Sequence, residues 1–469
     1  MWTTQAALVL LSGFLHVISA QDEAEPNIER QVDDPDTGRT MRGLVESKGY
    51  ELEEHSVVTS DQVVIQLHRI PYARNSGPSS EPNKKVVFLA APLFCSSSFY
   101  IDDFPNNTVA FIFADSGYDV WLGNTRGTPY GIRTTDGQVH DEKDRQFFDY
   151  TLIDHGVLDI KSQIDYILER TGSQSLSFFG HSQAAASGFA LLSKLPEYNS
   201  RISAFASLGG FRTFGCNFKD PALNTVWRSM KSFAKSVQFF SAEFNWELMK
   251  QMCYNIWGAC KSLLAKVIYG PASMSNHTRI PIYLEHYPHS SSIKNLLYYI
   301  QMQNNACRND EHVYEFDYDD EDIITSPTSP NARTNEGTYG SRRPPALPVE
   351  NIRVPVKVYY SEGDTLIPPS NQRKLIESLP NVVGEYYIAS KDFVHGNFAH
   401  SPFNMTHIHD TIAFFDSYDS NAQAKPAPVN VIVGGSGSGN EAPTSCADCT
   451  IILTRSNSTQ NSSSHKPPE

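Results

Sequence analysis

Apolar positions change their period along the chain. Between Gly49 and Pro71, Val57 and Thr59, then Val63, Ile65 and Leu67, alternate with polar residues, as half-buried hairpin strands do. Ser76 to Lys85 is a Gly/Pro/Ser/Asn-rich loop, and Val86 to Ala90 is apolar without a break, the pattern of a strand covered on both faces. Phe111 to Leu122 reads as a short helix end, a turn at Gly117 and another buried strand. Within Asp154 to Arg170, Val157, Ile160, Ile164 and Ile167 or Leu168 fall at helical spacing. Leu176 to Gly180 is again a buried strand, followed by the helix-compatible stretch Ala184 to Leu195. Strands alternating with helices predict an α/β fold, a mostly parallel sheet with helices on both faces.

The alternation stops at Phe211. Up to Pro345, Trp227, Phe233, Phe239, Phe240, Phe244, Trp246, Met249 and Met252 are interleaved with Lys and Glu, predicting a largely helical insertion with an amphipathic face. That face is read equally as the insertion's own core or as a cover over an apolar groove. Asp317 to Asp322 lacks the glycine and ligand spacing of a calcium loop and is read as solvated; no metal or organic cofactor is expected. The α/β pattern resumes with strand Val354–Tyr360, helix Asn371–Leu379, strand Glu385–Ala389 and helix His407–Phe415. Beyond Ser417 the composition turns to Ser, Asn, Gly and Pro, so most of 418–469 is expected to be disordered.

Composition narrows the setting. The 469 residues are 40% hydrophobic and carry a net charge of −14, so a phosphate backbone is an unfavourable partner and nucleic-acid binding is not expected. Ala6 to Val17 is an apolar run ending in Ser19-Ala20, which reads as a secretory signal peptide cleaved near Ala20. No later run reaches the roughly 18 uncharged apolar residues of a membrane span. Secretion agrees with five glycosylation sequons, at Asn106, Asn276, Asn404, Asn457 and Asn461. Seven cysteines leave at least one free or paired between chains; Cys253 with Cys260 is the expected pair, and Cys446 with Cys449 suits a local bridge. The expected organisation is signal peptide 1–20, leader 21–48, first core part 49–210, insertion 211–345, second core part 346–417 and tail 418–469.

The sharpest chemical signal is Gly180-His181-Ser182-Gln183-Ala184, between a buried strand and a helix. Such a turn lifts a serine hydroxyl above the sheet edge and is tight enough to require small neighbours, here Gly180 and Ala184. It also points the Gln183 N–H toward a developing oxyanion. A serine needs a histidine to take its proton and an acid to orient that histidine, in the chain order serine, acid, histidine. Asp364, after strand Val354–Tyr360, is the expected acid, with Glu362 as the alternative. Of His395, His400, His407 and His409, the loop residue His395 is the expected base, and His407 and His409 are expected at the surface.

With these pieces in place the chain resembles the acid lipase family of α/β-hydrolases, the group of lysosomal acid lipase, gastric lipase and insect lipases. The resemblance runs from about Gly49 to Phe415. It is carried by Gly49-Tyr50-Glu51-Leu52-Glu53-Glu54-His55, Arg69-Ile70-Pro71, Leu93-Phe94-Cys95-Ser96-Ser97-Ser98, Asp119-Val120-Trp121-Leu122-Gly123-Asn124-Thr125-Arg126-Gly127, Gly180-His181-Ser182-Gln183 and Pro196-Glu197-Tyr198-Asn199. It implies the α/β-hydrolase fold with an inserted helical cap. It also implies hydrolysis of neutral lipid esters such as triacylglycerol or cholesteryl ester, transient contact with a lipid surface through the cap, and a secreted or lysosomal setting. The second oxyanion donor it implies is the Leu93 backbone N–H. Three positions depart from the family pattern. Ala91-Pro92 replaces His-Gly, and Ala184 replaces the last elbow glycine. Around the histidine two registers exist: aligning Asp392-Phe393 puts Ser390 where the histidine belongs, whereas aligning His395-Gly396-Asn397-Phe398 keeps it and is preferred. These departures keep open a second class, a catalytically silent lipid-binding or partner-binding protein.

Overall fold

The computed structural model describes residues 34–74, 76–77, 84–141, 143–216, 227–228, 231–232, 243–244, 276–321, 323, 333–401, 405–419, 429–435 and 449–455. Its strands are β1 Glu53–Val58, β2 Val63–Ile70, β3 Val86–Ala90, β4 Asp119–Leu122, β5 Arg133–Thr134, β6 Leu176–His181 and β7 Ile202–Leu208. They continue with β8 Glu243–Phe244, β9 Ser291–Ser292, β10 Val356–Ser361, β11 Val382–Ala389, β12 Val429–Gly435 and β13 Cys449–Arg455. The main sheet runs β1-β2-β4-β3-β6-β7-β10-β11-β12-β13, with β5 beside β2. The pairs from β4 to β12 are parallel, and the antiparallel pairs lie at the two ends. This is an α/β-hydrolase fold.

The central strands are apolar without a break because both faces are covered. Val87, Leu89, Phe179, Ala206 and Tyr359 pack on one face with helices Val109–Asp115 and Thr406–Tyr418. Phe88, Phe178, Phe205 and Val358 pack on the other with helices Lys161–Thr171, Gln183–Lys194 and Pro369–Ser378. Registers Phe88↔Phe178 and Phe178↔Phe205 set three rings edge to face across adjacent strands. Burying each ring fully contributes about 1.5–3 kcal/mol. The strands end at one edge of the sheet, and there the loops after β3, β6, β7, β10 and β11 converge, the crevice position of open α/β sheets.

Several expectations change. The single helix expected over Asp154–Arg170 opens with a π-helical turn, His155–Ile160. Gly156 explains the close seat of that turn, since a Cβ there would lie 2.3 Å from the Ser187 carbonyl oxygen of the elbow helix. The tail expected to be disordered supplies β12 and β13. Their short Val-, Ile- and Thr-rich runs suit strands, and β12 adds to the edge of β11 as a parallel neighbour. His407, expected at the surface, is 1% exposed, because its Nε2–H donates to the Phe398 carbonyl at 3.0 Å; His409 is exposed.

Within 211–345, helices Ile280–His286 and Ile293–Cys307 are described, together with the short β8–β9 pair. Ile293–Cys307 is capped by the Ser292 hydroxyl, which accepts from the Asn295 amide at 3.3 Å. Leu296, Leu297 and Ile300 of this helix pack in one cluster with Ala186 and Ala190 of the elbow helix and with Phe211 and Phe214. The side chains of Phe233, Phe239, Phe240, Phe244, Trp246, Met249 and Met252, on which the amphipathic reading rests, lie outside the described residues, as do signal peptide 1–20 and the expected pair Cys253 and Cys260. A disulfide not anticipated joins Cys216 to Cys307, and Cys95 is free and buried.

Candidate active site

The turn after β6 holds Ser182 at φ +56° and ψ −124°, a region that non-glycine residues rarely occupy. Such a backbone costs on the order of 1–3 kcal/mol and persists only where its surroundings fix it. Here the Ser182 N–H donates to the Leu208 carbonyl at 3.0 Å, and the Ala185 N–H donates to the Ser182 carbonyl at 3.1 Å. A Cβ at Gly180 would sit 2.8 Å from the Ala185 Cα, so the small residue expected there is required; Ala184 fits, 1% exposed.

Two loops bring the acid and the histidine together. After β10, Asp364 Oδ1 accepts from the Leu366 and Ile367 amides at 3.0 and 2.8 Å, which turns Oδ2 toward His395. His395 Nδ1 lies 2.8 Å from that oxygen. An ionised carboxylate only accepts, so Nδ1 carries the proton and Nε2 presents its lone pair. Nε2 is buried and makes no hydrogen bond among the described residues. Glu362 is exposed and Asp364 is 1% exposed, which separates the two acids left open by the sequence. Of the four candidate histidines, His395 is the one beside Asp364; His400 is buried 3.3 Å from Asp102, and burial holds its ring down to about 3.

Sequence reasoning passed over two neighbours. His181 Nε2–H donates to the His395 carbonyl at 3.0 Å, and the two rings lie 4.8 Å apart, which ties the histidine loop to the elbow strand. Burial, with His395 alongside, holds the His181 ring well below the usual histidine range, so it stays neutral. Gly209, at φ +52°, ends β7; a Cβ there would lie 3.1 Å from the His395 ring and 3.3 Å from Asp364 Oδ2. The glycine was visible in the sequence, but its contact with both side chains needs three loops to meet.

The two amides expected to hold an oxyanion flank the elbow. Gln183 opens helix Gln183–Lys194, and Leu93 follows β3. Among the described residues no carbonyl accepts from either N–H. Phe94 has φ +61°, so the loop bends sharply after Pro92 and Leu93. His289 donates its N–H to the Phe94 carbonyl at 2.6 Å, and the Asn124 side chain accepts from the Ser97 amide at 2.8 Å. Both contacts brace this loop from outside.

Arg126, in the run that carries the resemblance, donates through Nε to Asp159 Oδ1 at 2.8 Å and through its terminal nitrogens to Asp61 at 2.6 and 3.0 Å. Asp159 is fully buried in the π turn. Arg126→Met would strand that carboxylate, and removing one partner of a buried pair costs about 3–5 kcal/mol. The expected outcome is a lower urea midpoint at unchanged slope. A loss under about 1 kcal/mol, the range of a surface pair, would refute a buried role.

Of the sequons, Asn106 is exposed and Asn276 is half-buried, while Asn404, Asn457 and Asn461 lie outside the described residues. Cys446 is likewise outside them.

Comparison with known proteins bears on this geometry. A family profile described as "alpha/beta hydrolase fold" matches residues 101–402, and one described as "Partial alpha/beta-hydrolase lipase region" matches residues 41–103. "Lipase 3" of Drosophila melanogaster is 29% identical over 78% of this chain and 90% of its own length. "Lipase member N" of Homo sapiens is 24% identical over 85% and 94%, and "Gastric triacylglycerol lipase" of Homo sapiens is 28% identical over 74% and 84%.

Proposed function

Because the chain belongs to the α/β-hydrolase fold family, we propose that it is a serine lipase that hydrolyses carboxylic esters of neutral lipids. The observation that carries this reading is the His395–Asp364 pair at the elbow, with His395 Nε2 buried and unbonded among the described residues, beside a strained Ser182 turn. The relatives named lipases support the same reaction class. Triacylglycerol or cholesteryl ester is the substrate class, and the secretory pathway or lysosome is the setting that the signal segment and sequons suit.

In the first step Ser182 Oγ attacks the ester carbonyl carbon and its proton passes to His395 Nε2. Asp364 holds Nδ1–H and stabilises the imidazolium that forms. The carbonyl oxygen becomes an oxyanion held by the Leu93 and Gln183 amides. Pro92 has no N–H to offer, but the donor needed is the next one along. The oxyanion collapses, the alcohol leaves with the proton from Nε2, and Ser182 is acylated. Water then attacks with the same base and the fatty acid leaves. Contact with a lipid surface is assigned to the inserted segment on its sequence pattern; no helix among the described residues is long and apolar enough to cross a membrane.

The test is fluorophosphonate labelling with the modified peptide mapped, alongside turnover of emulsified long-chain triacylglycerol and of a soluble short-chain ester. Labelling at Ser182 with preference for the emulsion is expected. Wild-type protein as resistant as Ser182→Ala would overturn the catalytic reading in favour of a silent lipid-binding or partner-binding protein, and preference for the soluble ester would make the protein an esterase of small substrates.

A further inference from the structure

Gln183 brings more than an amide to the elbow. Its side chain is buried, 2% exposed, and both ends of its carboxamide are engaged. Oε1 accepts from the Tyr299 hydroxyl and from Asn295 Nδ2, each at 2.9 Å. Nε2 lies 3.1 Å from His155 Nδ1. Tyr299 and Asn295 belong to helix Ile293–Cys307 of the inserted segment, and His155 opens the π turn. The carboxamide therefore bridges two elements that approach the elbow from different sides. Each is anchored elsewhere: the turn through Asp159 to Arg126, the helix through the Ser292 hydroxyl to the Phe148 carbonyl at 2.6 Å.

Burial of this kind is costly unless every polar atom is partnered. A long amide that satisfies three buried groups does more than fill space, and the same residue supplies one of the two N–H groups proposed to face the oxyanion. An N–H works in that role only when its direction is fixed before charge develops. We infer that the Gln183 side chain is a positioning residue, which locks its own backbone amide on the oxyanion by clamping the elbow between the π turn and helix Ile293–Cys307. The inference rests on the ester-hydrolase reading, since it needs that amide to act. It adds that this helix is fixed to the catalytic turn during turnover.

The charge around the carboxamide is defined. His155 faces it from the π turn; burial, with Arg126 alongside, holds that ring down to about 3, so it is neutral. Asp154 and Arg126 lie behind His155, whose ring also packs 4.9 Å from Tyr150. Tyr299 faces the carboxamide from the helix, and burial pushes its hydroxyl well above the usual range. A carboxyl placed at this position would thus add beside the oxyanion a titrating group that wild type lacks.

The experiment measures kcat and KM on a soluble ester across pH for wild type, Gln183→Met, Gln183→Glu and Tyr299→Phe. Gln183→Met is expected to lower kcat about 10- to 100-fold with KM nearly unchanged, the scale of a misplaced transition-state contact. Gln183→Glu should lose activity relative to wild type as the carboxyl ionises next to the oxyanion, a limb absent from wild type. Tyr299→Phe, the mildest change, should lower kcat severalfold and serves if the Gln183 variants do not fold. If wild type turns over and all folded variants keep its kcat and pH profile, the positioning role is wrong. If wild type itself has no turnover, the hydrolase reading has failed and the clamp with it.

Discussion

Replacing Ser182 by alanine is expected to lower kcat for ester hydrolysis by about 10⁴–10⁶-fold and to abolish fluorophosphonate labelling. Alanine has no hydroxyl to acylate, yet it occupies the same strained backbone at φ +56°, so the turn, its bond to the Leu208 carbonyl and the amides on either side persist. What survives is the catalysis that binding and oxyanion contacts supply without a nucleophile, about 10³–10⁴ over the reaction in water. Stopped assays at high enzyme concentration with equal thermal midpoints would confirm this. A variant that kept more than about a hundredth of wild-type kcat would remove Ser182 from the nucleophilic role.

Asp364→Asn should lower kcat by about 10⁴-fold without unfolding the protein. The reason is specific to this loop. Oδ1 accepts from two backbone amides, Leu366 and Ile367, so the NH₂ of an asparagine cannot take that place. It must turn toward His395, where it donates to Nδ1. The imidazole proton then moves to Nε2, the atom that has to accept from Ser182. Nitrogen-15 spectra of His395 would show the protonated ring nitrogen change from Nδ1 to Nε2. Near-wild-type kcat with the tautomer unchanged would mean that Asp364 does not orient the base.

The sequence made legible whatever is written in consecutive residues. The buried strand runs, the elbow between Leu176 and Leu195 and the acid beyond the strand ending at Ser361 all depend on local pattern. Long-range choices were hidden. The pairing of Cys216 with Cys307 spans 91 positions and brings the two Cα atoms within 4.6 Å, which no spacing rule reveals. His407 sits on a helix whose buried side is decided by Phe393 and Phe398 packing against its ring. The π turn at His155–Ile160 answers to a close crossing at Gly156, and the periodicity of Val157, Ile160 and Ile164 fits an ordinary helix equally well. The two tail strands are short β-branched runs within Gly/Ser-rich composition, so composition outweighed them. The histidine register, in which His395 was preferred to Ser390, turns on which residue reaches Asp364, and His395 Nδ1 lies 2.8 Å from its carboxylate.

Gly209 turns this geometry into a diagnostic for the wider superfamily. A single methyl group at that point would press on imidazole and carboxylate together, so the clearance around the pair is set by the hydrogen atom of the glycine that follows β7, the strand next to the elbow's own β6. A relative whose strand ends there in a bulkier residue has to shift its imidazole or carboxylate by a few tenths of an ångström to make room, and that position can be inspected in an uncharacterised homologue before any assay is run.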